Sequence, residues 1–156
     1  MASVLWLQGG ACSGNTMSFL NADEPNVVDL IVDFGLEVIW HPSLGLELGT
    51  QAQKIFRDCA TGARPMDVFV CEGSVIEGPN GTGRMDMFAD RPMKDWVTDL
   101  AAQAGIVVTN NHVIENAAEV QLVTDAGKTL NAKVVGTDPR TDLALLKVTD
   151  GGSFPF

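Results

Sequence analysis

The residues predict an α/β fold: a parallel sheet with helices on both faces, followed by a short antiparallel β-meander. Three observations carry this. Short apolar strands at 4–7, 36–40, 66–71 and 106–108 alternate with stretches of helical spacing. Glycine turns follow the first and third of these strands. From about residue 119 the period becomes strict alternation, with turn residues close together, which is the pattern of hairpins.

Composition sets the outer limits. A chain of 156 residues, 46% of them apolar, is long enough for one ordinary domain and its core. Apolar runs are only a few residues long, against the roughly 20 that a membrane span needs, so no span is expected. The start, Met1-Ala2-Ser3, has no basic region or long apolar stretch behind it, which points to a cytoplasmic product or to loss of an export signal. A net charge of −10 disfavours nucleic acid as a partner, because backbone binding needs clustered Lys and Arg. Three cysteines, Cys12, Cys59 and Cys71, form no close pair and favour thiols or metal ligands over a disulfide framework.

In chain order, Val4-Leu5-Trp6-Leu7 reads as a buried strand running into Gly9-Gly10-Ala11-Cys12-Ser13-Gly14 and then a helix. Strand, glycine turn and helix bring backbone N–H groups toward a ligand. The three-glycine spacing of the dinucleotide fingerprint is absent. Residues 27–34 have helical spacing with Gly35 as a stop, and 36–40 form the second strand, ended by His41-Pro42. His41 is expected to be a satisfied loop residue. Residues 50–59 read as a helix. The strand 66–71 leads into Glu72-Gly73-Ser74 and a glycine-rich loop, 94–104 is another helix, and 106–108 is strand four. Ligands of such sheets sit at the carboxyl ends of strands, where Cys12 and Glu72 both fall. Cys59 and Cys71 are expected to be buried, as small apolar residues. Beyond strand four, 119–124 and 129–135 should pair across a turn at Asp125-Ala126-Gly127, and 136–140 should turn into a third strand at 143–148. The domain division falls at 1–108 and 109–156.

Four segments in order, VLWLQGGACSGNTMSFLNADEP, IWHPSLGLELG, VFVCEGSVIEGPNGTG and RPMKDWVTDLAAQA, resemble the amino-terminal part of a nickel–iron hydrogenase small subunit over residues 3–108. The resemblance implies a flavodoxin-like fold, a hydrogenase large subunit as partner, and a role as electron relay. It implies a four-iron–four-sulfur cofactor near the large subunit's active site. Cys12 matches the first cluster cysteine, a metal ligand, and Glu72 matches a position close to the cluster. Asn15 stands where a second cysteine is usual. Such a cluster generally takes four ligands, mostly thiolates, so a chain with one matched cysteine is not expected to hold it alone.

GIVVTNNHVIENA and TLNAKVVGTDPRTDLALLKV resemble the first barrel of the HtrA (Do-type) trypsin-like serine proteases over residues 105–156. The resemblance implies His112 as general base and Asp142 as its orienting carboxylate. The serine and oxyanion donors would come from a second barrel, and no matching Gly-Asn-Ser-Gly-Gly turn occurs in the chain. Ser13 lies in the other half and is not expected to complete a triad. The two resemblances meet in Gly105-Ile106-Val107-Val108, a strand that suits both. The expected product is a truncated iron–sulfur electron-transfer subunit, inactive alone. The alternatives are an endopeptidase fragment with His and Asp but no nucleophile, and a chimera with no activity.

Overall fold

The structure is a computed structural model that describes residues 1–114, 117, 120–123 and 129–149. Its centre is a seven-stranded sheet. The strands are β1 (Ser3–Gln8), β2 (Glu37–Trp40), β3 (Val68–Glu72), β6 (Ile106–Asn110), β7 (Val120–Val123), β8 (Thr129–Asp138) and β9 (Leu143–Val148). A separate two-residue ribbon pairs β4 (Met87–Phe88) with β5 (Arg91–Pro92). The order across the sheet is β2-β1-β3-β6-β9-β8-β7. From β2 to β6 all pairings are parallel, and from β6 to β7 all are antiparallel. The parallel half has the strand order of a flavodoxin-like sheet. The meander adds to its edge through β9, so one sheet runs through the junction.

Alternation along the strands makes two unequal faces. Leu5, Leu7, Phe69 and Val107 point into a continuous core beneath α3 (Thr50–Ala60) and α4 (Met93–Gln103). Helix α3 buries Ala52, Phe56, Cys59 and Ala60, a single stripe at helical spacing. Helix α4 does the same with Met93, Trp96, Leu100 and Ala101. The core continues without a break under the meander, through Leu130, Ala132, Ala144, Leu146 and Val148. On the opposite face Val4, Trp6 and Val70 pack with Phe19 of α1 (Gly14–Leu20). Helix α2 (Val27–Val32) is set by an Asn26–Asp29 capping box and leaves Val28 and Val32 exposed.

Several boundaries differ from the sequence reading. Helix α2 stops at Val32, because Phe34 N–H turns back to the Asp29 carbonyl before Gly35, at φ +67°, reverses the chain. Met66 precedes β3 and anchors in the core. Strand β8 does not end at Val135. It runs to Asp138, because a bulge between Val134 and Gly136 absorbs one residue and pairing with β9 resumes. The ribbon was not foreseen: its turn residues Ala89 and Asp90 both take positive φ, at 51° and 62°. The turn expected at 125–127 lies outside the described residues. No helix among the described residues is long and apolar enough to cross a membrane.

All three tryptophans lie between residues 6 and 96, whereas Leu146, 2% exposed, belongs to the meander. Because both share one core, Leu146→Ala should cost about 3 kcal/mol. Urea unfolding should shift equally by tryptophan fluorescence and by far-ultraviolet circular dichroism. A meander that melts first, with tryptophan emission unmoved, would contradict the continuous core.

Candidate functional site

The carboxyl ends of β1, β3 and β6 converge on one edge of the sheet. Two glycine loops interlock there. Gly9 N–H donates to the Glu72 carbonyl at 2.9 Å, and Gly10 N–H to the Ser74 carbonyl at 2.8 Å. A Cβ on Gly9 would come within 2.6 Å of the Ser74 carbonyl oxygen, and one on Gly73, at φ +89°, within 2.5 Å of the Ala11 Cβ. Only glycine allows loops this close.

Glu72 is 2% exposed and fully engaged. The N–H groups of Asn15 and Thr16 donate to Oε1 at 3.0 and 3.1 Å. Trp6 Nε1–H donates to Oε2 at 3.0 Å, and the Thr16 hydroxyl donates to the same oxygen. Burial alone would raise its pKa; these donors, led by Thr16, outweigh burial and hold the carboxyl below its ordinary range. Cys12 lies in the same loop with an exposed thiol. Cys59 and Cys71 are buried in the core, where desolvation pushes their thiols up to about 11 and about 12.

His112 and Asp142 are brought together at the end of the β6–β9 pair. His112 Nδ1–H donates to Asp142 Oδ2 at 2.6 Å, and the His112 backbone N–H donates to Oδ1 at 2.9 Å. A carboxylate only accepts, so the proton of this contact sits on Nδ1, and in the neutral ring Nε2 is the acceptor nitrogen. The backbone N–H of His112, with its imidazole and Asn110, holds Asp142 below the usual carboxylate range. Both side chains are open to solvent, His112 at 62% and Asp142 at 40%. Asp142 sits at φ +55°, and Asn111 N–H donates to its carbonyl at 2.9 Å.

Sequence reasoning missed Asn110, which joins these two groups. It is 4% exposed. Its Oδ1 accepts from Gly73 N–H at 2.8 Å. Its Nδ2 donates to Asn15 Oδ1 at 3.1 Å and to Asp142 Oδ2 at 3.2 Å. The signal available was a polar triplet, Thr109-Asn110-Asn111, directly after a buried strand. His41 is a correction: burial leaves it 1% exposed, and although Nδ1 accepts from Ser43 N–H at 3.0 Å, Nε2 has no partner. Ser13 Oγ accepts from Gln8 Nε2 at 2.6 Å, and Ser153 lies outside the described residues.

The donor set does not fit a thiolate-held four-iron cluster. One thiol reaches this edge, two are locked in the core, Asn15 is bonded to Asn110, and Glu72 has no free lone pair directed outward. Among the described residues no group of three or more His, Cys, Asp or Glu side chains could hold a metal ion.

Fold and site together define a flavodoxin-like α/β sheet extended at one edge by an antiparallel meander. The chain belongs to the NADH ubiquinone oxidoreductase, 20 Kd subunit, family, whose model matches residues 12–110. A trypsin-like peptidase domain matches residues 99–156, so the two overlap on the end of α4 and on β6. A cytochrome c3 hydrogenase small chain of Acidithiobacillus ferrooxidans is 71% identical over 38 residues, which are 24% of this chain and 95% of that one. The periplasmic serine endoprotease DegP of Escherichia coli K12 is 35% identical over 100 residues, 62% of this chain and 20% of the protease. The actinobacterial-type NiFe-hydrogenase of Ralstonia eutropha H16 superposes with a TM-score of 0.60 and 29% identity, over 70% of this chain and 35% of that one. A Ni-Fe-Se hydrogenase of Desulfomicrobium baculatum, at 22% identity and a TM-score of 0.57, shares the fold over 70% of this chain and 41% of its own. The chain thus spans a fifth of DegP and about a third to two fifths of these hydrogenase chains.

Glu72→Gln would turn an amide N–H₂ toward donors that need an acceptor, and should destabilise the chain by about 1–3 kcal/mol at neutral pH. The depressed folded pKa makes the wild-type advantage full above the ordinary glutamate value of about 4.3, and lost as pH falls through the lower folded value. Chemical denaturation from pH 7 down to pH 3 should therefore show the two proteins converging in acid. A constant gap across that range would contradict the ionised, donor-held carboxylate.

Proposed function

We propose that this chain is a hydrogenase small-subunit scaffold of the electron-transfer type, which docks on a hydrogenase large subunit and does not relay electrons alone. The observation that carries it is the edge formed by the interlocked Gly9-Gly10 and Glu72-Gly73 loops at the switch point of the parallel sheet. Its support is the 71% identity over 38 residues to a hydrogenase small chain, and the family model that matches residues 12–110. In this reading Cys12 and Glu72 keep the positions of a cluster-side loop. Glu72 now orders the start of α1 through backbone donors, and Cys12 is a single exposed thiol. Coexpressed anaerobically with a hydrogenase large subunit, the chain should copurify with it. It should carry well under the four irons per chain that a four-iron cluster would bring. Failure to copurify would remove the docking role, and close to four irons with matching sulfide would remove the claim of a silent relay.

A second reading rests on the preformed contact of 2.6 Å between His112 and Asp142. An oriented imidazole with a free Nε2 is a general base in search of a nucleophile. Peptide hydrolysis by the triad route needs an activated hydroxyl beside it, and no serine among the described residues hydrogen-bonds the imidazole. We expect no hydrolysis of unfolded casein and no labelling by a fluorophosphonate. Stoichiometric labelling of Ser13 or Ser153, lost in His112→Ala, would make the protease reading the correct one.

A further inference from the structure

The chain has two histidines, and the fold treats them oppositely. His41 is 1% exposed, whereas the His112 side chain is 62% exposed. In a free histidine the neutral ring carries its proton mostly on Nε2, and the lone pair sits on Nδ1, crowded by Cβ. The 2.6 Å contact with Asp142 Oδ2 reverses this for His112: Nδ1 holds the proton, and the unhindered Nε2 holds the lone pair. The carboxylate that fixes the ring is itself tethered. Its Oδ1 accepts from His112 N–H at 2.9 Å, its Oδ2 from Asn110 Nδ2 at 3.2 Å, and the Asp142 carbonyl accepts from Asn111 N–H at 2.9 Å.

An imidazole lone pair held in this way is a nucleophile as well as a base. Attack of Nε2 on an acyl carbon puts a positive charge on the ring. Asp142, whose carboxyl is held below its ordinary range, faces that charge across Nδ1–H. The stabilising anion is therefore in place before the charge develops. The leaving group then selects the substrate. An alkoxide or an amide nitrogen leaves less readily than imidazole, so the adduct collapses back to the starting ester or peptide. A phenolate or thiolate leaves more readily, and the acyl group stays on the ring. The net charge of −10 disfavours approach of anionic acyl donors such as acyl phosphates, which leaves the neutral ones.

We propose that His112 is itself a nucleophile, which takes acyl groups onto Nε2 from small neutral aryl esters and thioesters and passes them to water, with Asp142 as its positioning residue. In the first step the Nε2–C bond forms and the C–O or C–S bond breaks, the phenolate or thiolate leaving with the electron pair. In the second, water adds to the acyl carbon and the C–Nε2 bond breaks, its pair returning to Nε2. One water proton stays with the carboxylic acid and the other passes to solvent, and nothing is oxidised or reduced. The contact is the one that the protease reading uses, but no serine hydroxyl is required and peptide bonds lie outside its range, so the two readings fail separately.

The probe is p-nitrophenyl acetate. Cys12, whose exposed thiol would compete for it, is first capped with methyl methanethiosulfonate. Wild-type protein should release several nitrophenolates per chain, and acid quenching should catch an acetyl group on His112 that hydroxylamine removes. Lysine acetyls resist hydroxylamine, and the chain has no tyrosine to give a labile one. His112→Ala, at a side chain open to solvent, should leave only the single-turnover acylation of lysines. Asp142→Asn keeps an acceptor for Nδ1–H and tolerates the left-handed φ of +55°, but removes the charge, so turnover should fall about tenfold. Imidazole nitrogen NMR of the wild-type chain supplies a readout that folding of the variants does not touch: the neutral His112 ring should carry its proton on Nδ1. Turnover unchanged by His112→Ala, Asp142→Asn as fast as wild type, or a neutral ring protonated on Nε2 would each overturn the proposal. A labile acetyl on Ser13 or Ser153 in place of His112 would overturn it as well, and would support the protease reading instead.

Discussion

Strand β6 is the constraint on which the rest of the structure depends. A strand has two hydrogen-bonding edges, and an apolar strand left with one edge open invites pairing with another chain. Here Val68–Val70 of β3 occupy one edge in parallel register, and Leu143–Lys147 of β9 occupy the other in antiparallel register. The side-chain requirement is the same for either direction: Val107 goes into the core under α4, and Val108 toward the open face. A short run such as Gly105-Ile106-Val107-Val108 therefore carries no record of which partner it came with. That indifference lets two unrelated halves share one sheet. The core follows the sheet, since Leu146 and Ala144 continue the layer begun by Phe69 and Val107.

At the carboxyl end of β6 the joining is polar. Asn110 has an acceptor and two donor hydrogens, and it uses both kinds. It takes the Gly73 N–H from the glutamate loop and gives to Asn15 and Asp142. Two carboxylates flank it, both held below their ordinary range: Glu72 against burial by donors from Thr16, Trp6 and Asn15, and Asp142 by the His112 backbone N–H, the His112 imidazole and Asn110, with no Lys or Arg taking part. In a chain of net charge −10 this is an economical arrangement, because oriented N–H groups stabilise a carboxylate without a partner cation. It also closes the edge: the amide of Asn15, which stands at a second ligand position in the resemblance, is bound to Asn110.

Elements whose signal is local were legible from the residues. The stripes of α3 and α4, the strands β1, β3, β6 and β9, and the helical spacing of α2 all follow from spacing within one segment. What failed was decided elsewhere in the chain. Gly136 looks the same whether it ends a strand or sits in a bulge, and only pairing with Leu145 tells them apart. Ala89 and Asp90 are not the residues that announce a tight turn, so the ribbon stayed hidden. Asn110 reads as an ordinary loop amide until Gly73 and Asn15, 37 and 95 positions away, are brought beside it. His41 was misread for the same reason. Pro42 marks a strand end, but the missing partner of Nε2 is a property of Trp6, Phe19 and the uncovered face.

The two candidate sites differ in how much of each is built by neighbouring strands. The His112–Asp142 contact is made by one strand pair and its turn: Asn110 faces Leu143 in the β6–β9 register, and the neighbouring backbone N–H groups hold Asp142 in its left-handed conformation. Nothing beyond those few residues is needed, so the geometry persists without a closed barrel. A nucleophile is another matter, since in the protease resemblance it comes from a second barrel. The cluster-side loop is the reverse case. Its backbone frame survives, because Gly9, Gly73 and Glu72 lock it locally, but its thiols do not, because a cluster draws ligands from separated parts of a chain. Among the described residues, each site thus has its frame built by adjacent strands. Orientation at each comes from those neighbouring strands and not from the ends of the chain.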